Sequence, residues 1–405
     1  MLADVPRHLL LAARPTRLRL DCLRGGGTIQ QAVGAKADQT ADRRGLLLFL
    51  RDEAGRVGVG EASPLPGASP DSLSDCEQAL LALGEVWPPQ EFDADGWPPL
   101  PSLANLPAAR CAFETAYADL WAKRVGPGVR LASVLAGGAA LTPHRVQLNA
   151  LCDSLPSAQR AVAAGARTLK IKIGGPDFAP ELKLLRTLRQ GLPLEIALRV
   201  DVNGAWTLQA ARHHLPQLAD LALQYVEQPV PAGRGELAQL ALPGVPLAAD
   251  ESLQIPVERA ALLHHPSCVA WVLKPMLLGL RGARALALLA AGHGRGVVIT
   301  HAFDGPVAHA AACELALSLP VAPWACGLAA HAGLAAWPGL VPPHLPLSAA
   351  QAVSDAAPPP GSFEIALPAS AGLGFGEIAL SGITPSHVVH GIVASSVPHS
   401  TGGAR

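Results

Sequence analysis

Between residues 168 and 275 the chain reads TLKIK (168–172), LRVDVN (198–203), YVEQP (225–229), AADES (248–252) and VLKP (272–275), five short apolar runs that each close on charge. The closing charges are Lys170 and Lys172, then Asp201, Glu227, Asp250 with Glu251, and Lys274. They recur about every 25 residues, the length of one strand–helix unit. Helical stretches such as LQAARHHLPQLAD (208–220) and RGARALALLAAG (281–292) fill the gaps. Outward from this stretch, further strands are expected at VQLNALC (146–152), GVVIT (296–300) and LPVAPWA (319–325). Eight strands with seven intervening helices describe a (β/α)8-type barrel or a close relative. A doubly wound sheet would want a Gly-rich first turn, and none follows VQLNALC.

The chain before the barrel is mixed. LLLFLRDEAGRVGVGEAS (46–63) reads as a hairpin turning around Asp52 to Gly55, and SLSDCEQALLAL (72–83) and AARCAFETAYADLWAKR (108–124) read as amphipathic helices. The expected organisation is an α+β module over 1–142 and a barrel over 143–345. A strand-like, turn-rich segment over 346–385 is expected to return to the first module. A Ser/His/Gly-rich tail over 386–405 is expected to be disordered. Gly25 opens a polar stretch to about Arg44, which suits either a mobile lid or a plain surface loop.

Bulk properties narrow the function. Half of the 405 residues are apolar and 16% are charged, enough for a large core. A net charge of -1 gives no field to draw nucleic acid or an anionic membrane. Seven scattered cysteines, without a C-x-x-C pair, fit a reducing cytoplasm better than a disulfide framework. No apolar run approaches the roughly 20 residues that span a bilayer.

Active sites of barrels lie at the C-terminal ends of the strands. One acid after a strand is most often a helix N-cap or a surface residue. Five charged positions in five consecutive units are hard to obtain that way. Asp201, Glu227 and Asp250 at one rim would repel one another, and a hard divalent cation such as magnesium resolves the conflict. Lysines before and after this triad would approach a central substrate from opposite sides. That arrangement suits removal of a proton next to a carboxylate.

The motifs K-I-K, D-V-N, E-Q-P, D-E-S and K-P-M, in this order and spacing, resemble the muconate-lactonizing subgroup of the enolase superfamily. Gly60-Glu61-Ala-Ser-Pro64-Leu-Pro-Gly67 is similar to a segment of that family's capping domain, and Phe113-Glu114 to Asp119-Leu120 to its interdomain helix. The resemblance implies an enolase-like α/β fold, a (β/α)7β-type TIM barrel with an α+β capping domain built from the N-terminal region and the C-terminal segment. It implies Mg2+ as cofactor, with Mn2+ as a substitute, held by Asp201, Glu227 and Asp250. Lys172 would take the α-proton, Lys170 would keep a positive field beside it, and Lys274 would stand on the opposite face. Asn203, Gln228, Glu251 and Ser252 would orient ligands. Arg199 faces the barrel interior and is either a partner of the acids or part of a structural ion pair.

Within the subgroup, the G-E-x-x-P-L-P-G segment, T-H-A-F-D at strand seven and Cys326-Gly327-Leu328 at strand eight look most like o-succinylbenzoate synthases. Dipeptide epimerases of the subgroup usually carry Asp-x-Asp on strand eight, and LPVAPWACGLAA has no acid. The implied reaction is a syn dehydration of 2-succinyl-6-hydroxy-2,4-cyclohexadiene-1-carboxylate to 2-succinylbenzoate, a step toward menaquinone or phylloquinone. Where relatives often have Ser-Ser-x-x-Glu-Ser, this chain has Thr300 and His301, which puts a hydroxyl and an imidazole near the expected substrate pocket. The alternatives are an N-succinylamino acid racemase or another subgroup cycloisomerase or epimerase and, from a different class, a non-catalytic metal-binding barrel. The expected partner is a small carboxylate, with no nucleic acid or membrane, and the oligomeric state is open.

Overall fold

The run Leu46–Leu50 is apolar at five successive positions, and four of them are buried, because its strand is covered on both faces. The computed structural model describes residues 5–16, 18–33, 36–85, 91–139, 141, 145–337, 339–345, 363–365, 371–375 and 387–389. A short helix α1 (Arg7–Ala12) leads into β1 (Arg19–Val33), β2 (Lys36–Arg51) and β3 (Val57–Ala62), an antiparallel sheet. Asp52 makes the turn between β2 and β3, its Oδ1 accepting from the backbone N–H of Ala54 at 3.0 Å and of Arg56 at 2.9 Å. The stretch from Gly25 to Arg44, expected as a loop, instead continues β1 and β2 as one long antiparallel ribbon. Its length lets the two backbones satisfy each other where a loop would need water.

Helices α2 (Leu73–Glu85), α3 (Pro107–Val125) and α4 (Leu131–Leu135) follow. α3 lies directly on β3, because any side chain at Gly58 or Gly60 would strike the backbone carbonyls of Ala116 or Ala112. The barrel then runs β4 (Ala150–Cys152), α5 (Leu155–Ala163), β5 (Thr168–Lys172), α6 (Phe178–Gly191), β6 (Ala197–Asp201), α7 (Leu208–His214), β7 (Leu223–Glu227) and β8 (Leu247–Ala249). It continues with α8 (Pro256–Leu263), β9 (Cys268–Leu273), α9 (Pro275–Leu278), α10 (Leu280–Gly292), β10 (Gly296–Ile299) and α11 (Pro306–Leu317). The seven strands β4 to β10 are parallel neighbours in sequence order.

Closure departs from expectation in position. The eighth strand is not Leu319–Ala325 but a pair of bridges just beyond it, Leu148 with Cys326 and Thr300 with Gly327. Pro320 and Pro323 lack the N–H groups that a ladder needs, so pairing begins only after them. Asn149 N–H donates to Cys326 O and Gly327 N–H to Ile299 O, both at 2.9 Å, which ties the first strand to the seventh. One expected helix is also missing: after β7 the chain makes only a 3-10 turn, Leu237–Gln239, in a segment rich in Pro and Gly.

Where it is described, the chain after the barrel reaches both modules: residues 363–365 pair with 146–148 at the first barrel strand, while 371–375 and 387–389 meet the first module. Leu373 N–H donates to Asp119 Oδ1 on α3 at 2.8 Å, and Gly372 pairs with Arg130. Of the tail expected to be disordered, β11 (His387–Val389) pairs antiparallel with β1, whose free edge offers unpaired backbone groups. The rest of that expectation, and most of 346–385, lies outside the described residues. Among the described residues no helix is long and apolar enough to cross a membrane.

Candidate active site

Parallel register sets the site. Lys172 on β5 stands opposite Asp201 on β6, and Asp201 opposite Glu227 on β7, so all three share one layer at the strand ends. One layer below, Lys170, Arg199 and Tyr225 are aligned in the same way. Asp250 and Glu251 lie just past β8, at the start of a 3-10 turn, and Lys274 lies just past β9.

The long side chain of Lys170 reaches up a layer, and its Nζ bridges Asp201 Oδ2 at 2.8 Å and Glu227 Oε1 at 2.7 Å. Across the mouth, Lys274 pairs with Asp250 and stands 3.9 Å from Glu251 Oε1. Burial pulls both lysines down, but their acidic neighbours outweigh it and hold each above the ordinary lysine value. Asp201 and Glu227 share one ammonium and titrate as a pair. Burial and the charge of Asp201 push Glu227 up, while Lys170 and Lys172 hold Asp201 down against its own burial. Asp250 is raised by burial and by Glu251.

Lys172 differs from its neighbours. It makes no ion pair or hydrogen bond among the described residues and is partly exposed. Burial lowers its pKa, and the charges of Lys170 and Lys274 lower it further against the opposing pull of Asp201. A lysine so placed gives up its proton more easily than a free one, as a proton acceptor requires.

The groups around the acids do not act as a list of side chains would suggest. Asn203 orients Asp201 with its backbone N–H, which donates to Oδ1 at 3.0 Å, while its own side chain is exposed. Gln228 is the larger orienting group, and its Oε1 accepts from the N–H groups of Asp250 at 3.1 Å and Ser252 at 3.2 Å. Its Nε2 donates to Val230 O and Ser252 Oγ, both at 2.9 Å. Among the described residues Arg199 makes neither of the contacts expected of it. Its guanidinium donates to Gln224 Oε1 at 2.7 Å and Ala325 O at 2.5 Å and lies over the Tyr225 ring, so it braces the barrel floor below the acids. Thr300 Oγ1 donates to Gly327 O at 3.1 Å, a closure contact between strands seven and eight. His301 stacks on His331, which the sequence did not single out because that residue comes from a loop after strand eight.

Three buried carboxylates make a hard oxygen donor set of the kind magnesium takes. Glu227 Oε2 is buried without a hydrogen-bond partner, an acceptor left for a ligand. Among the described residues no group of His, Cys, Asp or Glu is already drawn together to hold a metal. Lys170 and Lys274 supply the positive charge the acids require, so the donor chemistry fits a divalent cation although the side chains are turned to the lysines.

The Enolase C-terminal domain-like family matches residues 154–376, more than half of the chain. An o-succinylbenzoate synthase of Mycobacterium ulcerans is 37% identical over 192 residues, 45% of this chain and 57% of that protein. The chain thus spans little more than half the length of that curated relative. A dipeptide epimerase from Methylococcus capsulatus, solved with Mg and the dipeptide L-Arg-D-Lys, superposes with a TM-score of 0.67 at 23% identity, over 89% of this chain and 99% of its own. A muconate lactonizing enzyme from Pseudomonas fluorescens, solved with muconolactone, gives 0.69 at 18% identity over 91% and 100%. These two likenesses speak to the fold.

Proposed function

Because the chain belongs to the enolase C-terminal domain-like family, we propose that it is an o-succinylbenzoate synthase of the muconate-lactonizing subgroup, dehydrating 2-succinyl-6-hydroxy-2,4-cyclohexadiene-1-carboxylate to 2-succinylbenzoate. The observation that carries this reading is the asymmetry of the lysines. Lys172 has no ion-pair partner among the described residues and a lowered pKa, while Lys274 is held as a cation by Asp250 and Glu251. One base and one fixed cation suit a one-base elimination. A racemase needs both lysines to exchange protons. The lack of an acid in residues 319–330, where a dipeptide amine would need one, supports the same reading, as does the named relative.

In this reading Asp201, Glu227 and Asp250 hold Mg2+, with Mn2+ as a substitute. When bound, the metal supplies positive charge to the substrate carboxylate as negative charge builds there. Lys172 takes the ring proton next to that carboxylate. The protonated Lys172 then returns a proton to the departing hydroxyl on the same face, so water leaves and the ring becomes aromatic. Lys274 stays charged and attracts the anionic ring. Lys170 keeps Lys172 in its neutral form. Gln228 holds the turn that carries Asp250.

The test is conversion of the cyclohexadiene followed by absorbance with magnesium, with EDTA and with Lys172→Ala. Turnover that EDTA removes and the variant lowers by about 1,000-fold or more supports the synthase. No turnover in magnesium sinks it, and deuterium exchange into N-succinylamino acids then tests the racemase.

A further inference from the structure

The backbone N–H groups of the three residues that follow Lys172 are all held. The Ile173 N–H donates to Asp201 O at 2.9 Å, one step past the last register pair of β5 with β6. Gly174 and Gly175 donate to a single oxygen, Glu181 Oε1, at 2.8 and 2.7 Å. Glu181 lies in the first turns of α6, but that helix is already capped by Asp177, whose Oδ1 accepts from the Ala179 N–H at 3.0 Å. The Glu181 side chain therefore serves the loop before the helix. Its Oε2 is buried without a hydrogen-bond partner among the described residues, so the carboxylate gives up water for these two bonds. Gly174 takes φ 113, and a side chain there would meet Ala205 Cβ at 2.7 Å and Val202 O at 3.0 Å. The clamped loop thus lies directly on the loop that follows Asp201.

Acids hold Lys170 and Lys274 in place, whereas among the described residues no ion pair or hydrogen bond holds the side chain of Lys172. On the β4 side the ladder stops at Ile171, one residue short of it. Where its amine stands is set by its own backbone, and that backbone runs straight into the clamp. We infer that Glu181 is a positioning residue for Lys172, fixing through Gly174 and Gly175 the strand end from which the amine reaches the substrate. The inference deepens the proposed function and rests on its assignment of Lys172 as the base. It does not depend on whether a hydroxyl leaves afterwards, because a racemase that used Lys172 would need the same placement.

The experiment compares steady-state kinetics with magnesium for the wild type, for Glu181→Leu, which keeps bulk without an acceptor, and for Glu181→Gln, which keeps a carbonyl oxygen for both glycines. Glu258→Leu removes a like clamp elsewhere. Glu258 Oε1 accepts from the Gly233 N–H at 2.7 Å and the Gly235 N–H at 2.9 Å, in the loop after β7, where Gln228 separately holds the strand end. Glu181→Leu is expected to lower kcat about 100-fold with KM within about twofold, and Glu181→Gln to stay within about threefold of the wild type. Glu258→Leu should lower the melting temperature by a similar amount and kcat by less than about fivefold. Hydrogen exchange at Gly174 and Gly175 should be fast in Glu181→Leu and slow in Glu181→Gln. Equal loss of kcat in the two Leu variants, or fast exchange with kcat unchanged, overturns the inference. Should Glu181→Leu not fold, Glu181→Asp decides, being one methylene too short to reach both glycines: a kcat below that of Glu181→Gln supports the inference, and an equal kcat overturns it. A wild type inactive on the cyclohexadiene that exchanges deuterium into N-succinylamino acids overturns the synthase alone, and the same ratios, read on the exchange rate, then support or overturn the role of Glu181. A wild type with neither activity overturns both.

Discussion

Gln228 carries more of the site than its place between an acid and a proline suggests. Its backbone takes φ 37, and its buried amide holds two N–H groups, one carbonyl and one hydroxyl of the loops after β7 and β8. Gln228→Leu would leave those groups buried and unpaired, at a cost of about 2–4 kcal/mol. Urea unfolding should show that loss, and metal affinity should fall with it because Asp250 is no longer positioned. A second residue sets a pH response away from the chemistry. His309 on α11 is fully buried, with Nε2 against Leu328 O at 2.9 Å, and burial lowers its pKa from 6.5 to about 4. The unfolded chain therefore binds a proton at this residue below pH 6.5 that the folded chain refuses until about pH 4. Its contribution to stability is full above pH 6.5 and is lost as the pH falls toward 4, by about 3 kcal/mol in all. Urea midpoints between pH 4 and 7 should fall with acid, and His309→Gln should flatten part of the slope.

At the scale of elements, the cap and barrel are joined by side chains that close each other's helix ends. Glu61 on β3 is buried, and it accepts from the first N–H groups of α11, Gly305 at 2.7 Å and Val307 and Ala308 at 3.1 Å. α11 has no N-cap side chain of its own, so a carboxylate from a distant strand fills that place and meets the positive end of the helix dipole. Glu114 on α3 does similar work, accepting from the Arg281 N–H of α10 at 2.8 Å while holding Arg110 at 2.9 Å. Glu61→Ala should cost about 2 kcal/mol, a cap lost in a buried setting. Glu61→Gln, which keeps one acceptor, should cost less. A thermal melt of the two variants orders them, and equal loss would mean that packing rather than capping fixes the joint.

For the whole molecule, a cation that binds only the folded barrel must stabilise it by mass action. Magnesium at about 100 times its Kd should add about 2.7 kcal/mol and raise the melting temperature, with EDTA reversing the gain. Asp201→Asn should melt without that dependence on magnesium. The His301–His331 stack, the bond from Arg199 to Ala325 O and the Arg130–Glu314–His344 cluster all join segments distant in sequence. Each arises only when the barrel closes.

By itself the sequence determined the barrel and the placement of its charged rim, because a strand of one unit and its closing residue are local and repeat about every 25 residues. The order of Lys172, Asp201, Glu227, Asp250 and Lys274 along the chain becomes their order around the mouth without any knowledge of packing. Only the tertiary structure decided which lysine pairs with the acids, since Lys170 reaches a layer above its own register to Asp201 and Glu227. It also decided that Asn203 works through its backbone, that Arg199 braces the floor, and that strand eight starts after its prolines. Glu61 was visible as part of a motif, but its use as a helix cap was not. The physical reason is common to these cases. A local pattern specifies where a side chain starts and which face it leaves from, whereas its partner is set by whatever the closed fold brings within about 3 Å.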